Sequence, residues 1–364
     1  MNAPQYGRAR SPGAPQDGRA RSPSAPPVAS VIVPCRDVRD TVDAAIAGAL
    51  ASPLRELEVI AVDDGSTDGT PDALHAIAAR DPRVKVLDSG GHGVSAARNA
   101  GLDAAAGEYI FFLDADDVVE PGFFPKAVEA MRRDGADYCR VAHDRTDPSS
   151  GVSAPAHLKV DYRFGSQDEI RERYLPCFFG YSFAQVREWY GGAPLGANRE
   201  MGGVVFGCFR ADIIRANGVR FDETVEIFED AMFTSEYLLA CSRTTCMDEV
   251  LYHYRLKPSG SMISKLEGRE FFENKLRLLE KRKELDAKAG GRLTPMYAAS
   301  CVFSLLEILR ASFRVKGCLR LGLSAFRRYG GDPAVRAALR GFPLSWRKPL
   351  FAAAVLFCRA VTRR

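Results

Sequence analysis

From Val28 the chain alternates short apolar runs with amphipathic stretches, and this alternation limits the fold more than any other feature. The spacing predicts strands over Ala29 to Val33, Glu58 to Val62, Val84 to Leu87, Tyr109 to Leu113 and Asp137 to Val141. Between them it predicts helices over Val38 to Ala51, Thr70 to Arg80, Val94 to Ala106 and Gly122 to Arg133. Strands that are apolar throughout are buried on both faces, so the expected class is α/β, a parallel sheet covered by helices. Right-handed crossovers then gather the strands' C-terminal ends on one edge, where open α/β sheets bind ligands.

Two of these strands run straight into carboxylates. Val59 to Val62 leads into Asp63-Asp64-Gly65-Ser66, and Tyr109 to Leu113 into Asp114-Ala115-Asp116-Asp117. Like charges crowded at one edge weaken a fold unless a cation or hydrogen-bond donors offset them. A divalent metal is the economical partner, and a metal held by few carboxylates usually also takes phosphate oxygens. The pattern therefore points to a phosphorylated ligand. The first cluster partly imitates a calcium loop, but His75 stands where a bidentate Glu is required and no helix precedes it, so calcium is rejected. Asp, Ser, Thr and Gly also serve turns and helix starts, yet two adjacent Asp at a strand end exceed what a turn needs.

A rival signal is Gly91-His92-Gly93-Val94-Ser95-Ala96, which follows a strand, opens a helix and has Asp114 at the next strand's end, as a dinucleotide fingerprint does. It would make the chain an NAD(P)-dependent oxidoreductase. That motif normally follows the first strand, however, and here two strand-helix units precede it. No Gly-Lys-Ser or Gly-Lys-Thr phosphate loop and no Gly-x-Ser-x-Gly turn occurs. Farther on, Phe228-Glu229-Asp230 opens a helix expected to run to Cys241; acids there suit the helix dipole, and they also fit a general base. His253 and Arg255 end a strand and lead into Lys257-Pro258-Ser259-Gly260-Ser261, a basic loop suited to a leaving diphosphate or to an ordinary surface ion pair.

A chain of 364 residues with 46% apolar content exceeds one ordinary core, so two domains, or one with a helical extension, are expected. The net charge of +4 does not argue for nucleic acid. Nine cysteines stand singly, without zinc spacing, which predicts reduced thiols in a cytosolic protein. No apolar run is long enough to span a bilayer, and the polar, Arg-rich start predicts no signal peptide. Residues 3 to 12 and 14 to 23 form a tandem Pro/Gly/Arg repeat, expected to be a disordered tail. Residues 146 to 200 read as irregular, and the aromatics from Tyr174 to Tyr190 suit either a substrate platform or a sheet cover. Helices are expected over Glu267 to Lys288, Pro295 to Val315 and Trp346 to Val361. The last combines Trp346, Leu350, Phe351 and Phe357 with Arg347, Lys348 and Arg359, a pattern for a membrane interface or for packing on the protein's own core.

Taken together, these residues resemble the inverting family 2 glycosyltransferases with the GT-A nucleotide-sugar fold. The resemblance covers roughly Ala29 to Ile263. It is carried by Ser30 to Pro34, Val62 to Asp68, Gly93 to Gly101, Gly107 to Asp117 and Phe228 to Asp230. It implies that Pro34, Asp63, Asp64 and Arg98 line a nucleotide pocket and that Asp114 faces the ribose and base. It further implies that Asp116 holds Mn²⁺ or Mg²⁺, that Asp230 is the catalytic base with Glu229 positioning the acceptor, and that Arg255 and Ser261 close over the diphosphate. Where the family usually has Tyr-Asn after its first strand, this chain has Cys35-Arg36, which leaves the nucleobase unassigned. The expected activity is transfer from a UDP-sugar to a glycan or lipid-linked acceptor, in the cytoplasm or peripherally at the inner membrane face. The expected layout is a tail over 1–27, a nucleotide-sugar half over 28–145, an acceptor half over 146–264 and a helical extension over 265–364.

Overall fold

The computed structural model describes residues 26–147, 150, 152–158, 161–191, 203–256, 268–312 and 318–341. Both the tandem repeat up to residue 25 and the expected helix Trp346 to Val361 lie outside them. Strands β1 (Ala29–Cys35), β2 (Leu57–Asp63), β3 (Val84–Asp88) and β4 (Tyr109–Phe112) form where the apolar runs stand and pair in parallel, Ala29 opposite both Leu57 and Tyr109. β2 is buried along its whole length and β1 at every residue except Pro34, as strands covered on both faces must be. The crossovers are α1 (Val42–Leu50), α2 (Thr70–Arg80) and α3 (Val94–Ala104).

α1 begins later than its apolar periodicity suggests. The peptide N–H of Val38 donates to Thr70 Oγ1 at 2.9 Å and that of Arg39 to Asp68 Oδ2 at 3.1 Å, which ties residues 37–41 to the loop after β2 instead of letting them coil.

Beyond β4 the parallel sheet becomes mixed. A short strand, β8 (Gly207–Arg210), enters antiparallel between β4 and β6 (Tyr138–Thr146), so the order is β3-β2-β1-β4-β8-β6-β9-β5, with β7 (Ser153–Ala156) on β6. Two reversals restore direction: β6 and β9 (Thr244–Arg255) run parallel to each other and to β4, so their C-terminal ends share its edge. β5 (Val118–Val119), just past the second acidic cluster, pairs with β9 through Val118 and His253. One sheet thus runs through both halves of the chain.

α4 (Phe123–Asp134) covers one face. The stretch expected to be irregular holds helical turns over 167–179 and α5 (Phe183–Gly191), and its Tyr174, Phe178 and Phe179 are fully buried, so they cover the sheet. α6 (Ala211–Asn217) follows β8, and α7 (Glu229–Ala240) starts at the Glu-Asp pair. The C-terminal region is a helical layer of α8 (Gly268–Lys288), α9 (Thr294–Ser312), α10 (Cys318–Tyr329) and α11 (Pro333–Gly341). None of the described helices is long and apolar enough to cross a membrane.

Candidate active site

At the end of β2, Asp64 is 2% exposed yet well supplied with donors. Its carboxylate accepts Ser89 Oγ–H at 2.8 Å and the Gly93 peptide N–H at 3.0 and 3.1 Å, with Arg36 Nη1 at 3.5 Å. Gly93, at φ 101, opens α3, so the positive end of that helix faces the carboxylate. Asp63 beside it is 8% exposed; Oδ2 accepts the Ser66 N–H at 3.2 Å, while Oδ1 has no hydrogen-bond partner among the described residues. Burial, with the Asp63 charge next to it, pushes the Cys35 thiol up to about 12, which keeps it protonated. Half-buried Pro34 completes this corner.

The centre of the site is Arg98, one turn into α3 and 5% exposed. Its Nη2 donates to Asp114 Oδ1 at 3.0 Å and its Nη1 to Glu229 Oε1 at 2.8 Å, and its guanidinium lies 5.3 Å from the Phe221 ring centroid. One guanidinium therefore joins the acidic turn after β4 to the start of α7, 131 residues apart in sequence. Burial would pull Arg98 down, but Asp114, Glu229 and Asp230 hold it above its usual range, so it is a permanent cation.

The carboxylates still outnumber it. Burial, helped by the Asp230 charge, lifts Glu229 to about 7 against the pull of Arg98. Burial also raises Asp230, opposed by Arg98 and by the Ala231 peptide N–H, and Asp114 adds to the rise.

Asp117, whose own role was not read from the sequence, is 1% exposed. It accepts the Tyr252 hydroxyl at 2.6 Å and the Arg255 peptide N–H at 2.8 Å, while Tyr252 in turn accepts the Asp114 N–H at 3.3 Å. Burial and then the Asp114 charge push Asp117 up to about 7, against those donors and Arg255. These bonds fasten the second acidic turn to the end of β9 and bring Arg255 beside the cluster. Next to it, His253 Nδ1 meets Asp144 Oδ2 and Nε2 meets Glu120 Oε1, both at 2.9 Å; burial would lower this imidazole, but the two carboxylates raise it. The signal for Tyr252 is the alternation along β9, which turns Tyr252 inward while His253 and Arg255 stand at the edge.

Asp116 is half-buried in the same turn, between Asp114 and Asp117. Ser261 lies outside the described residues. Among those residues no group of three or more His, Cys, Asp or Glu side chains forms a ready cage for a metal. The Gly91 to Ala96 turn follows β3, an edge strand, and its Gly93 N–H is spent on Asp64, so the amide that a dinucleotide pyrophosphate would need is already occupied.

Residues 30–190 match the sequence model of Glycosyl transferase family 2. Over 234 residues the chain is 27% identical to the uncharacterized glycosyltransferase EpsJ of Bacillus subtilis, covering 64% of this chain and 62% of that protein. It is 28% identical to the succinoglycan biosynthesis protein ExoO of Rhizobium meliloti over 64% of this chain and 61% of the other. With the putative teichuronic acid biosynthesis glycosyltransferase TuaG of B. subtilis it shares 33% identity over 42% of this chain and 60% of that protein. The chain thus spans about three fifths of each of these relatives. Among solved structures, S. aureus TarS 1–349 in complex with UDP-GlcNAc superposes with a TM-score of 0.62 at 17% identity, over 92% of this chain and 90% of that one. The fold is accordingly GT-A-like, and residues 30–190 carry the likeness to glycosyl transferase family 2.

Proposed function

We propose that this chain transfers a sugar from a nucleoside diphosphate sugar, a UDP-sugar, to a hydroxyl of a glycan or lipid-linked acceptor, inverting the anomeric carbon. The observation that carries the reading is the Arg98 bridge, which ties Asp114 of the acidic turn to Glu229 of the Glu229-Asp230 pair. TarS, which holds UDP-GlcNAc, supports the donor class, and the succinoglycan and teichuronic acid proteins support a polysaccharide acceptor.

Pro34, Asp63, Asp64 and Arg98 form the nucleotide end. The unpartnered Asp63 Oδ1 is free to accept an N–H or O–H of the nucleoside. Asp114 faces the ribose and base. A cation suits the second acidic turn, because Asp114, Asp116 and Asp117 crowd one short segment and Asp117 is raised to about 7 by burial and by the Asp114 charge. Asp116 would hold Mn²⁺ or Mg²⁺, with phosphate oxygens completing a shell that the described residues do not close. When bound, such an ion neutralises charge on the departing diphosphate.

Asp230 accepts the acceptor's proton. As the hydroxyl oxygen bonds to the anomeric carbon, the bond to the diphosphate oxygen breaks and the electron pair leaves with the nucleoside diphosphate. Attack from the face opposite the leaving group inverts the centre. A base raised by burial above the ordinary carboxylate range is better matched to neutral pH. Glu229, fixed by Arg98, positions the acceptor, and Arg255 serves the diphosphate.

Charge supports peripheral contact with the inner face of the membrane. Residues 308–364 hold 13 of the chain's 50 Lys and Arg but only one of its 46 Asp and Glu, Asp332. α10 and α11 bury Phe326, Tyr329, Val335 and Leu339 and leave Arg320, Arg327, Arg328 and Arg340 exposed, a face suited to anionic lipid. Flotation with phosphatidylglycerol vesicles, lost in neutral phosphatidylcholine or at high salt, checks this contact. The donor reading is tested by thermal shift: UDP with Mn²⁺ should stabilise the chain and NAD should not, and the reverse ranking would overturn it.

A further inference from the structure

Phe228 stands immediately before the Glu229-Asp230 pair, and its backbone is left-handed, φ 66 and ψ 20. Among the described non-glycine residues only Asp37 shares a positive φ. A bulky side chain is disfavoured there, and an aspartate or asparagine tolerates it better. The residue is also 39% exposed. Val152 and Leu256 are the other exposed large hydrophobics among the described residues, so Phe228 is the aromatic one.

The turn is held from behind by α8. Asn274, 2% exposed, accepts the Glu226 peptide N–H at 2.7 Å through Oδ1 and aims Nδ2 at the Ile227 carbonyl oxygen at 3.5 Å. Arg277 on the same helix reaches Glu226 at 3.3 Å. Strain of this kind persists where the surroundings over-determine it, and it clusters at functional sites. Here a buried amide from another element ties down the two residues that precede the partly exposed Phe228 and the Glu229-Asp230 pair.

We propose that Phe228 is the platform of an acceptor-sugar subsite, stacking on the C–H face of a pyranose whose hydroxyl reaches Asp230, with Asn274 as its positioning residue. The inference rests on the reading of Asp230 as the base. An aromatic face is electron-rich and the axial C–H bonds of a pyranose are electron-poor, so the two attract as they leave water. A phenyl ring forms no hydrogen bond with hydroxyls. It therefore selects a sugar with a flat apolar face, a β-linked unit being the clearest case, rather than a particular hydroxyl pattern.

The test is an NMR titration of the full chain, with UDP and Mn²⁺ present, using cellobiose, chitobiose and lactose as probes. At least one should bind the wild type, and Phe228→Gly should bind it about tenfold more weakly, while Phe228→Trp restores binding. Glycine adopts the left-handed conformation freely, so Phe228→Gly should melt no lower than the wild type, which separates loss of the ring from loss of the fold. Asn274→Leu should weaken sugar binding with the ring intact and leave the UDP dissociation constant unchanged. Unchanged sugar affinity in Phe228→Gly, or no binding of any probe to the wild type, overturns the proposal. Asp230→Asn separates the two readings: it should bind the probe normally, and should it turn over normally as well, the base assignment falls while the subsite stands.

Discussion

Arg98 is the residue on which the two ends of the site depend. Its side chain is 6% exposed and its partners Asp114 and Glu229 are 31% and 12% exposed, so its charge is shared in a largely dry place. Removing one member of a buried ionic cluster leaves charges unpaired, which typically costs about 3–5 kcal/mol. Arg98→Met should therefore lower the unfolding free energy by about that amount in urea titrations; a loss under about 1 kcal/mol would mean that solvent already screens the cluster. The participants of this cluster were legible because carboxylates following apolar strands are conspicuous. Its wiring was not. Tyr252 meets Asp117 across 135 residues and Arg98 meets Glu229 across 131, and no local spacing encodes such contacts. Asp117 was visible as a member of the acidic run, but nothing in the sequence distinguished its anchoring bonds from those of its neighbours.

α3 carries Arg98 and directs its first peptide N–H at Asp64, so its seating on β1 controls both. Gly101 makes that seating possible: a Cβ there would lie 2.4 Å from Ile32 Cγ2 on β1. Gly101→Ala must push helix and strand apart, at a cost of about 1–3 kcal/mol by overpacking. It should also weaken UDP binding, because Arg98 and the Gly93 amide move with the helix. Calorimetric titration with UDP checks this, and undiminished affinity would show that α3 tolerates the shift. Elements from β1 to α4, apart from the two-residue β5, were legible since unbroken apolar runs alternate with stretches of helical period. β8 was not, because Gly-Cys-Phe-Arg is too short to show a period and is specified by its slot between β4 and β6. α10 and α11 were missed for a related reason. Gly322 and the Gly330-Gly331-Asp332-Pro333 break interrupt the pattern, and the helices are held by packing on α9.

Across the whole molecule, burial and mutual repulsion raise carboxylates at the sheet edge, and this has a pH signature. Asp117 and Glu229 are raised to about 7 in the fold, from 3.8 and 4.5. Between those values the folded chain holds protons that the unfolded chain has released, so stability falls as pH rises through that window. The melting temperature of the metal-free chain should drop from pH 5 to pH 8, and Asp117→Asn should flatten the drop. Mn²⁺ with UDP should stabilise more at pH 8 than at pH 5. A melting temperature that rises steadily across the window would show that other groups dominate this edge. The two acidic runs at strand ends were readable from the sequence. The reversal of strand direction at β8, which brings Asp117, Arg255 and His253 to one edge, belongs to the assembled sheet alone.

In the proposed reaction Asp230 takes the acceptor's proton while other carboxylates hold the nucleotide, so donor binding and chemistry are separable. UDP affinity and steady-state UDP release, measured side by side in the wild type and Asp230→Asn with an acceptor that sustains wild-type turnover, test it most directly. An unchanged UDP dissociation constant is expected, with kcat reduced about 10²- to 10⁴-fold, the usual contribution of a general base. Turnover at the wild-type rate, or a loss of UDP binding that accounts for the lost rate, would contradict it.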